Sequence, residues 1–203
     1  MISAKLLQGL NWTAPVEWAA ALEGPCRRYE INTAKRLAMF LANTGHETAG
    51  GRRLRESLNY RPEALLKQWP RYFSPEYAAE VGRTVSRPAD EKAIAEAAYG
   101  GRMGNKNPGD GWRFIGRGLM QTTGRYNYER LAEIVNMPVD ELPEWLETRE
   151  GAADSAAIFW HSKSCNDVAD AGAVDRCRHR INGGLIGIDD VRSRYATALG
   201  LLT

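Results

Sequence analysis

Thr33-Ala34-Lys35-Arg36-Leu37-Ala38-Met39-Phe40-Leu41-Ala42-Asn43-Thr44-Gly45-His46-Glu47-Thr48-Ala49-Gly50-Gly51 is the stretch on which the fold turns. Ala34, Leu37, Ala38, Leu41 and Gly45 recur at three- and four-residue steps, so they share one face of an α-helix. Thr33 suits an N-cap, because its hydroxyl oxygen can accept one of the N–H groups that a first helical turn leaves over, and Gly50-Gly51 supplies the stop. The spacing predicts a core helix over 33–47, with Glu47 just past its end. The terminal carbonyls there carry negative partial charge and apolar neighbours would desolvate the side chain, two effects that suit a carboxyl required to carry a proton. A second carboxylate, Glu56 in Arg55-Glu56-Ser57-Leu58-Asn59-Tyr60, lies beyond the glycine break with Arg52, Arg53 and Arg55 around it. Nearby guanidinium groups suit a carboxylate that stays ionised. One protonated and one ionised carboxyl are what acid-plus-base hydrolysis of a glycosidic bond requires. Two solvated surface glutamates would look the same in sequence, since charged residues are mostly exposed.

Working outward, helical patterns recur almost everywhere. Segments are predicted at 3–10, 15–22, 33–47, 62–69, 75–81, 89–99, 124–135, 139–145, 151–161 and 189–199. Pro15, Pro62, Pro75 and Pro88 fall near proposed helix starts, where a missing N–H does no harm, and Asp189 is placed as the cap of the last helix. No alternating strand pattern of useful length occurs, so the fold is expected to be all-α or nearly so, with room for a small hairpin. The one long irregular stretch is 100–118. Trp112 and Phe114 within it offer either flat faces for pyranose rings or anchors to the core. No linker, repeat or low-complexity tract divides the chain, and a single catalytic domain over 1–203, of two lobes with a cleft between them, is expected without a separate wall-binding domain.

The middle of the chain carries Gly116-Arg117-Gly118-Leu119-Met120-Gln121-Thr122-Thr123-Gly124-Arg125-Tyr126-Asn127-Tyr128, a glycine-rich turn bearing amide, hydroxyl, phenol and guanidinium groups of the kind that hydrogen-bond sugar hydroxyls and N-acetyl groups. Together with Gly45-His46-Glu47, Glu56-Ser57-Leu58-Asn59-Tyr60 and Ile181-Asn182-Gly183-Gly184, in that order along the chain, it resembles family 19 of the glycoside hydrolases, the chitinase family that includes many phage endolysins. The resemblance runs from about Leu37 to Tyr195. It implies a lysozyme-like helical fold in which Glu47 is the general acid, Glu56 the general base and Thr123 the hydroxyl that holds the attacking water. Gln121, Tyr126, Asn127 and Asn182 match sugar-binding positions, and Arg194 matches a late arginine near the active site. Thr44 stands where the resemblance implies a bulkier apolar residue. The implied reaction is single displacement with inversion, for which the carboxyl groups should lie about 6.5–9.5 Å apart. Peptidoglycan is the expected substrate and chitin the alternative. A lysozyme-like scaffold that only binds polysaccharide is the competing reading, against which stands the joint presence of Glu47, Glu56 and Thr123.

Composition sets the remaining bounds. A chain of 203 residues, 43% hydrophobic, can bury a sizeable core in one domain. No run of eighteen apolar residues occurs, so no membrane insertion is expected, and the first ten residues have one lysine and too short an apolar stretch for a secretory signal. Synthesis in the host cytoplasm is expected, and the lysin resemblance implies release to the wall through a holin or its equivalent. The odd cysteine count, Cys26, Cys165 and Cys177, predicts reduced thiols. His161, Cys165, Cys177 and His179 are good zinc ligands at intervals unlike any common finger, and His46-Glu47 lacks the second histidine of a metalloprotease helix, Gly50 standing in its place. No metal and no cofactor is expected. The net charge of +2 is too small, and a recognition helix too clearly missing, for a nucleic-acid partner. The cluster of Arg176, Arg178, Arg180, Arg192 and Arg194 predicts helix-face arginines paired with Asp167, Asp170, Asp175, Asp189 and Asp190. A monomer is expected.

Overall fold

The computed structural model describes residues 2–203, and among them the fold is all-α. In chain order the helices are α1 Ala4–Gly9, α2 Pro15–Arg28, α3 Ala34–Thr48, α4 Pro62–Gln68, α5 Pro75–Val81, α6 Glu91–Tyr99, α7 Asp110–Arg113, α8 Arg125–Val135, α9 Leu142–Leu146, α10 Arg149–Ser162, α11 Cys165–Asp170, α12 Val174–Asn182 and α13 Ile188–Leu202, with a 3-10 turn at Val139–Glu141. The hairpin that the sequence leaves room for amounts to two isolated bridges, Arg55 with Arg117 and Arg117 with Thr122. No helix among the described residues is long and apolar enough to cross a membrane. The chain divides into two compact units, one of the stretch up to Leu54 with Gly118–Gln121 and Glu144–Thr203, the other of Arg55–Arg117 and Thr122–Pro143.

In the first unit α3 is the central element. Thr33 caps it as predicted, its Oγ1 accepting from Arg36 N at 3.2 Å. The helix is buried on every side from Leu37 to Gly45, not along one stripe, because α13 packs along it and α11 and α12 also touch it. A helix enclosed all round normally carries no polar side chain. Here Asn43 and Thr44 are accommodated by turning back on the helix: Nδ2 of Asn43 donates to Met39 O at 2.9 Å and Oγ1 of Thr44 to Phe40 O at 2.8 Å. Around α3, Phe40 meets Trp160 edge to face at 5.4 Å, and Trp12 meets Trp18 the same way at 5.3 Å. The stop is built from Gly50 N donating to Gly45 O at 2.8 Å and from Thr48 Oγ1, which bonds Thr44 O at 2.7 Å and accepts from Gly51 N at 2.9 Å. Glu47 therefore belongs to the last turn of α3 instead of lying past its end.

The second unit gathers Leu58, Leu65, Phe73, Ala78, Val81, Ile94, Ala95 and Ile115 into its own core. Trp69 lies against it with Tyr60 at 5.4 Å, Phe73 at 6.1 Å and Tyr99 at 6.1 Å. Pro62 and Pro75 sit at helix starts as predicted, whereas α6 begins at Glu91 because Asp90 supplies the cap, its Oδ1 accepting from Ala93 N at 3.0 Å. The stretch 100–118 is less irregular than its glycines suggest. It contains α7 and is gathered around Asp110, which accepts from Lys106 N, Asn107 N and Arg125. Phe114 is fully buried against Tyr128, ring centres 5.0 Å apart, and Trp112 lies under the Arg55 guanidinium at 4.5 Å. Both aromatics anchor the loop.

Elsewhere packing overrides local signals. α2 continues through Gly24-Pro25 to Arg28 because Leu22, Pro25 and Cys26 are buried on one side of it. α11 and α12, which no periodic pattern announced, fold over Cys165, Val168, Cys177 and Arg178. α13 starts at Ile188 with Gly187 as its cap, so Asp189 lies inside the first turn, where a carboxylate still meets the positive end of the helix. All three cysteines are free and buried, and burial pushes the Cys26 thiol up to about 12. Among the described residues no three His, Cys, Asp or Glu side chains come together as a metal site, and His161 lies beside the Tyr29 ring at 5.3 Å. The expected pairing of the basic cluster holds for Arg192 with Asp175 at 2.6 Å and for Arg194 with Asp190 at 2.7 Å, while Asp170 pairs with Arg36 and Arg178 is buried.

Candidate active site

Within the first unit, α3 presents Glu47 in its last turn with the side chain 24% exposed. α12 brings the almost completely buried Arg178 to it, Nη1 donating to Glu47 Oε1 while Nε donates to Ile186 O at 2.9 Å. Among the described residues Oε2 of Glu47 accepts no hydrogen bond. The surroundings expected from sequence, apolar packing around a helix-end carboxyl, are therefore replaced by a guanidinium on one oxygen. The residue before it is anchored as well. His46 Nδ1 lies 2.7 Å from Asp190 Oδ2, and Arg194 Nε donates to the same oxygen at 2.7 Å. Burial works against the charge on Asp190, but the bonds from Arg194 and His46 hold its carboxyl below the usual range. Arg194 is thus committed to Asp190 and reaches the site through His46.

Gly187 makes that arrangement fit. Its φ is +76°, and a Cβ built on it would overlap the His46 ring. Gly187→Ala is expected to lose more than about 1 kcal/mol in urea unfolding, since alanine at positive φ is itself strained and the imidazole must also move off Asp190. An unchanged unfolding midpoint would show that the ring is not held there. The other first-unit positions are Asn182, exposed as the final residue of α12, and Gln121, whose backbone has φ +51° and whose Nε2 donates to Gly118 O at 2.9 Å.

In the second unit Glu56 is fixed through both oxygens. Oε1 accepts from Gly116 N and Oε2 from the Tyr99 hydroxyl at 2.8 Å, while the Glu56 backbone N donates to Gly116 O at 2.9 Å. Burial, and then the Glu56 charge beside it, raise the Tyr99 phenol far above its ordinary value, so the hydroxyl remains a donor. The arginines expected around Glu56 are not its partners; Arg55 is stacked on Trp112. Thr123 opens the turn into α8, and its carbonyl accepts from Asn127 Nδ2 at 2.8 Å. Tyr126 is 57% exposed, with its backbone N donating to Met103 O at 3.0 Å. Gly124, φ +83°, lets the turn close on Met103, which a Cβ would strike. The guanidinium groups of this motif serve the protein: Arg117 Nη1 donates to Arg113 O at 2.7 Å and Arg125 grips Asp110.

Sequence reasoning missed Tyr99 and Arg178. Tyr99 is one apolar-face residue at the end of a short helix, far along the chain from Glu56, and nothing local marks it. Arg178 lies in a run of arginines that reads as surface charge, and only its burial separates it from Arg176 and Arg180.

An all-helical chain with two carboxylates, each anchored by donors, has the fold of the chitinases. A bacterial family 19 chitinase of known structure matches with TM-score 0.65 at 18% identity over 99% of this chain and 94% of that one. Chitinase C from Streptomyces griseus HUT6037 matches with TM-score 0.63 at 17% identity over 99% of this chain and 76% of that one. No family model matches the chain. A glycosyl hydrolase family 19 domain-containing protein from Haemophilus influenzae is 36% identical over 155 residues, 75% of this chain and 73% of that protein. The chain belongs to glycosyl hydrolase family 19, and is a glycoside hydrolase of the lysozyme and chitinase type.

Proposed function

We propose that this hydrolase cleaves the β-1,4 amino-sugar bonds of peptidoglycan as an endolysin, by single displacement with inversion. Glu47 is the general acid, Glu56 the general base, and Thr123 holds the water that Glu56 activates. Gln121, Tyr126, Asn127 and Asn182 contact the sugars, and Arg194 supports them through Asp190 and His46. The observation that carries this reading is the way the two carboxyls are held. Glu47 has one oxygen engaged by Arg178, while among the described residues its other oxygen accepts no hydrogen bond and is open to a leaving-group oxygen. Among the described residues Glu56 meets neutral donors, the Tyr99 hydroxyl and the Gly116 N–H, and is addressed as an acceptor. An oxygen left open at Glu47 and a fixed acceptor at Glu56 support an acid and a base role for the two carboxyls.

Peptidoglycan is favoured by the three free, buried cysteines, the usage of a protein that folds in a reducing compartment. Production in the host cytoplasm and action after release to the wall follow from that choice. Chitin is the second reading, favoured by solved chitinases that match 99% of the chain. Purified peptidoglycan and colloidal chitin, each incubated with the protein and with its Glu47→Gln variant, decide between them. Reducing ends released from peptidoglycan by the unaltered protein alone are expected. Release from chitin only would make it a chitinase, and release from neither would make it a binding module.

A further inference from the structure

We infer that Tyr99 is the positioning residue of the general base, orienting the Glu56 carboxylate toward the water through its hydroxyl. This rests on the reading of Glu56 as the base. A glutamate side chain has three rotatable bonds, and a carboxylate swinging freely about them would rarely aim a lone pair at one water. Two hydrogen bonds to two different oxygens remove that freedom. Gly116 supplies one from the main chain, and Tyr99 supplies the other at 2.8 Å from the last residue of α6.

Tyr99 is itself held at its ring and at its backbone. Its ring meets Trp69 nearly at right angles, 88°, with centres 6.1 Å apart, and its backbone carbonyl accepts from Asn105 Nδ2 at 3.0 Å. Asn105 Oδ1 accepts from Arg125 N at 2.8 Å, so the base is tied through Tyr99 to the loop that Asp110 gathers. The other ionisable groups facing the phenol are Tyr60, which feels the Glu56 charge as well, and Arg102, whose charge acts on Tyr99 in the opposite sense. Neither donates a hydrogen bond to Glu56, which leaves the Tyr99 hydroxyl as the side-chain group that fixes it among the described residues.

Tyr99→Phe removes the hydroxyl and keeps the ring against Trp69. On a soluble oligosaccharide of whichever polymer the unaltered protein hydrolyses, kcat should fall about 10–100-fold with KM unchanged, the worth of one hydrogen bond to a charged group. In a Glu56→Gln background the same substitution should change the residual rate by less than about twofold, since its effect runs through the carboxylate. A kcat within about twofold of the unaltered protein, or an equal fall in both backgrounds, would each overturn the inference. Circular dichroism of Tyr99→Phe separates these results from a loss of fold. No turnover by the unaltered protein on either polymer would instead remove the reading of Glu56 itself.

Discussion

Glu47→Gln and Glu56→Gln each give a folded protein whose hydrolysis falls by about 10²–10⁴. Glutamine preserves the volume of both sites, so the loss measures chemistry. At position 47 the amide oxygen can still accept from Arg178, but the nitrogen that replaces Oε2 has no acidic proton for a leaving alkoxide. At position 56 the amide oxygen can still accept from Gly116 N, and the Tyr99 hydroxyl can turn to accept from the new NH₂; the site stays satisfied and loses only its basicity. The two losses should separate on an aryl glycoside with a good leaving group. Such a substrate needs no protonation, so Glu47→Gln should recover most of its rate and Glu56→Gln should not. Recovery by both, or by neither, would show that the acid and base roles are assigned wrongly. The first-formed product should be the α-anomer, detectable by NMR before mutarotation.

What the sequence made legible follows a physical division. The cap at Thr33, the core positions Leu37, Ala38 and Leu41 and the proline starts at Pro62 and Pro75 are set by neighbours within a turn or two, and they stand where the spacing put them. Family motifs marked Glu47 and Glu56 because both lie in short stretches whose residue types are restrictive. Contacts between distant segments were not legible. α12 was missed because Arg176, Arg178 and Arg180 outweigh Val174 and Cys177 in any periodic pattern, yet it is α12 that brings Arg178 to Glu47. The surroundings of both carboxylates were misread for the same reason. Adjacent arginines were assigned to Glu56 by nearness in sequence, whereas its partners arrive from α6 and from the glycine-rich turn. The glycines of 100–118 suggested an open loop, and one aspartate gives the stretch its order.

That aspartate carries the largest expected effect on stability. Asp110→Asn should lower stability at pH 7 by about 3–5 kcal/mol, the cost of breaking a buried ion pair from one side. Asp110 is 4% exposed. Oδ2 accepts from Lys106 N at 3.0 Å, Asn107 N at 3.0 Å and Arg125 Nε at 2.9 Å, and Oδ1 accepts from Arg125 Nη2 at 2.6 Å. Every group facing the carboxylate is a donor, so an asparagine NH₂ in either orientation points a hydrogen at another hydrogen and leaves the Arg125 charge without its partner. The Arg125 bonds, helped by the N–H groups of Asn107 and Lys106 against the cost of burial, hold the Asp110 carboxyl below its ordinary 3.8. A depressed native value means that this stability is complete above about pH 4, where the unfolded chain is also ionised, and is lost as pH falls through the native value. Urea unfolding at a series of pH values should therefore show a shallower acid-side slope in Asp110→Asn than in the unaltered protein. Asp170, Asp190 and Glu76, which are likewise held low, contribute to the remaining slope. Replacing both partners, Asp110→Asn with Arg125→Met, should recover part of the loss at pH 7, because it removes the stranded charge. An unfolding midpoint at pH 7 equal to that of the unaltered protein would mean that Asp110 does not hold the loop. Asn105 joins that loop to both Arg125 N and the Tyr99 carbonyl, so the same variant should also loosen Glu56 and lose activity at temperatures where it is still folded.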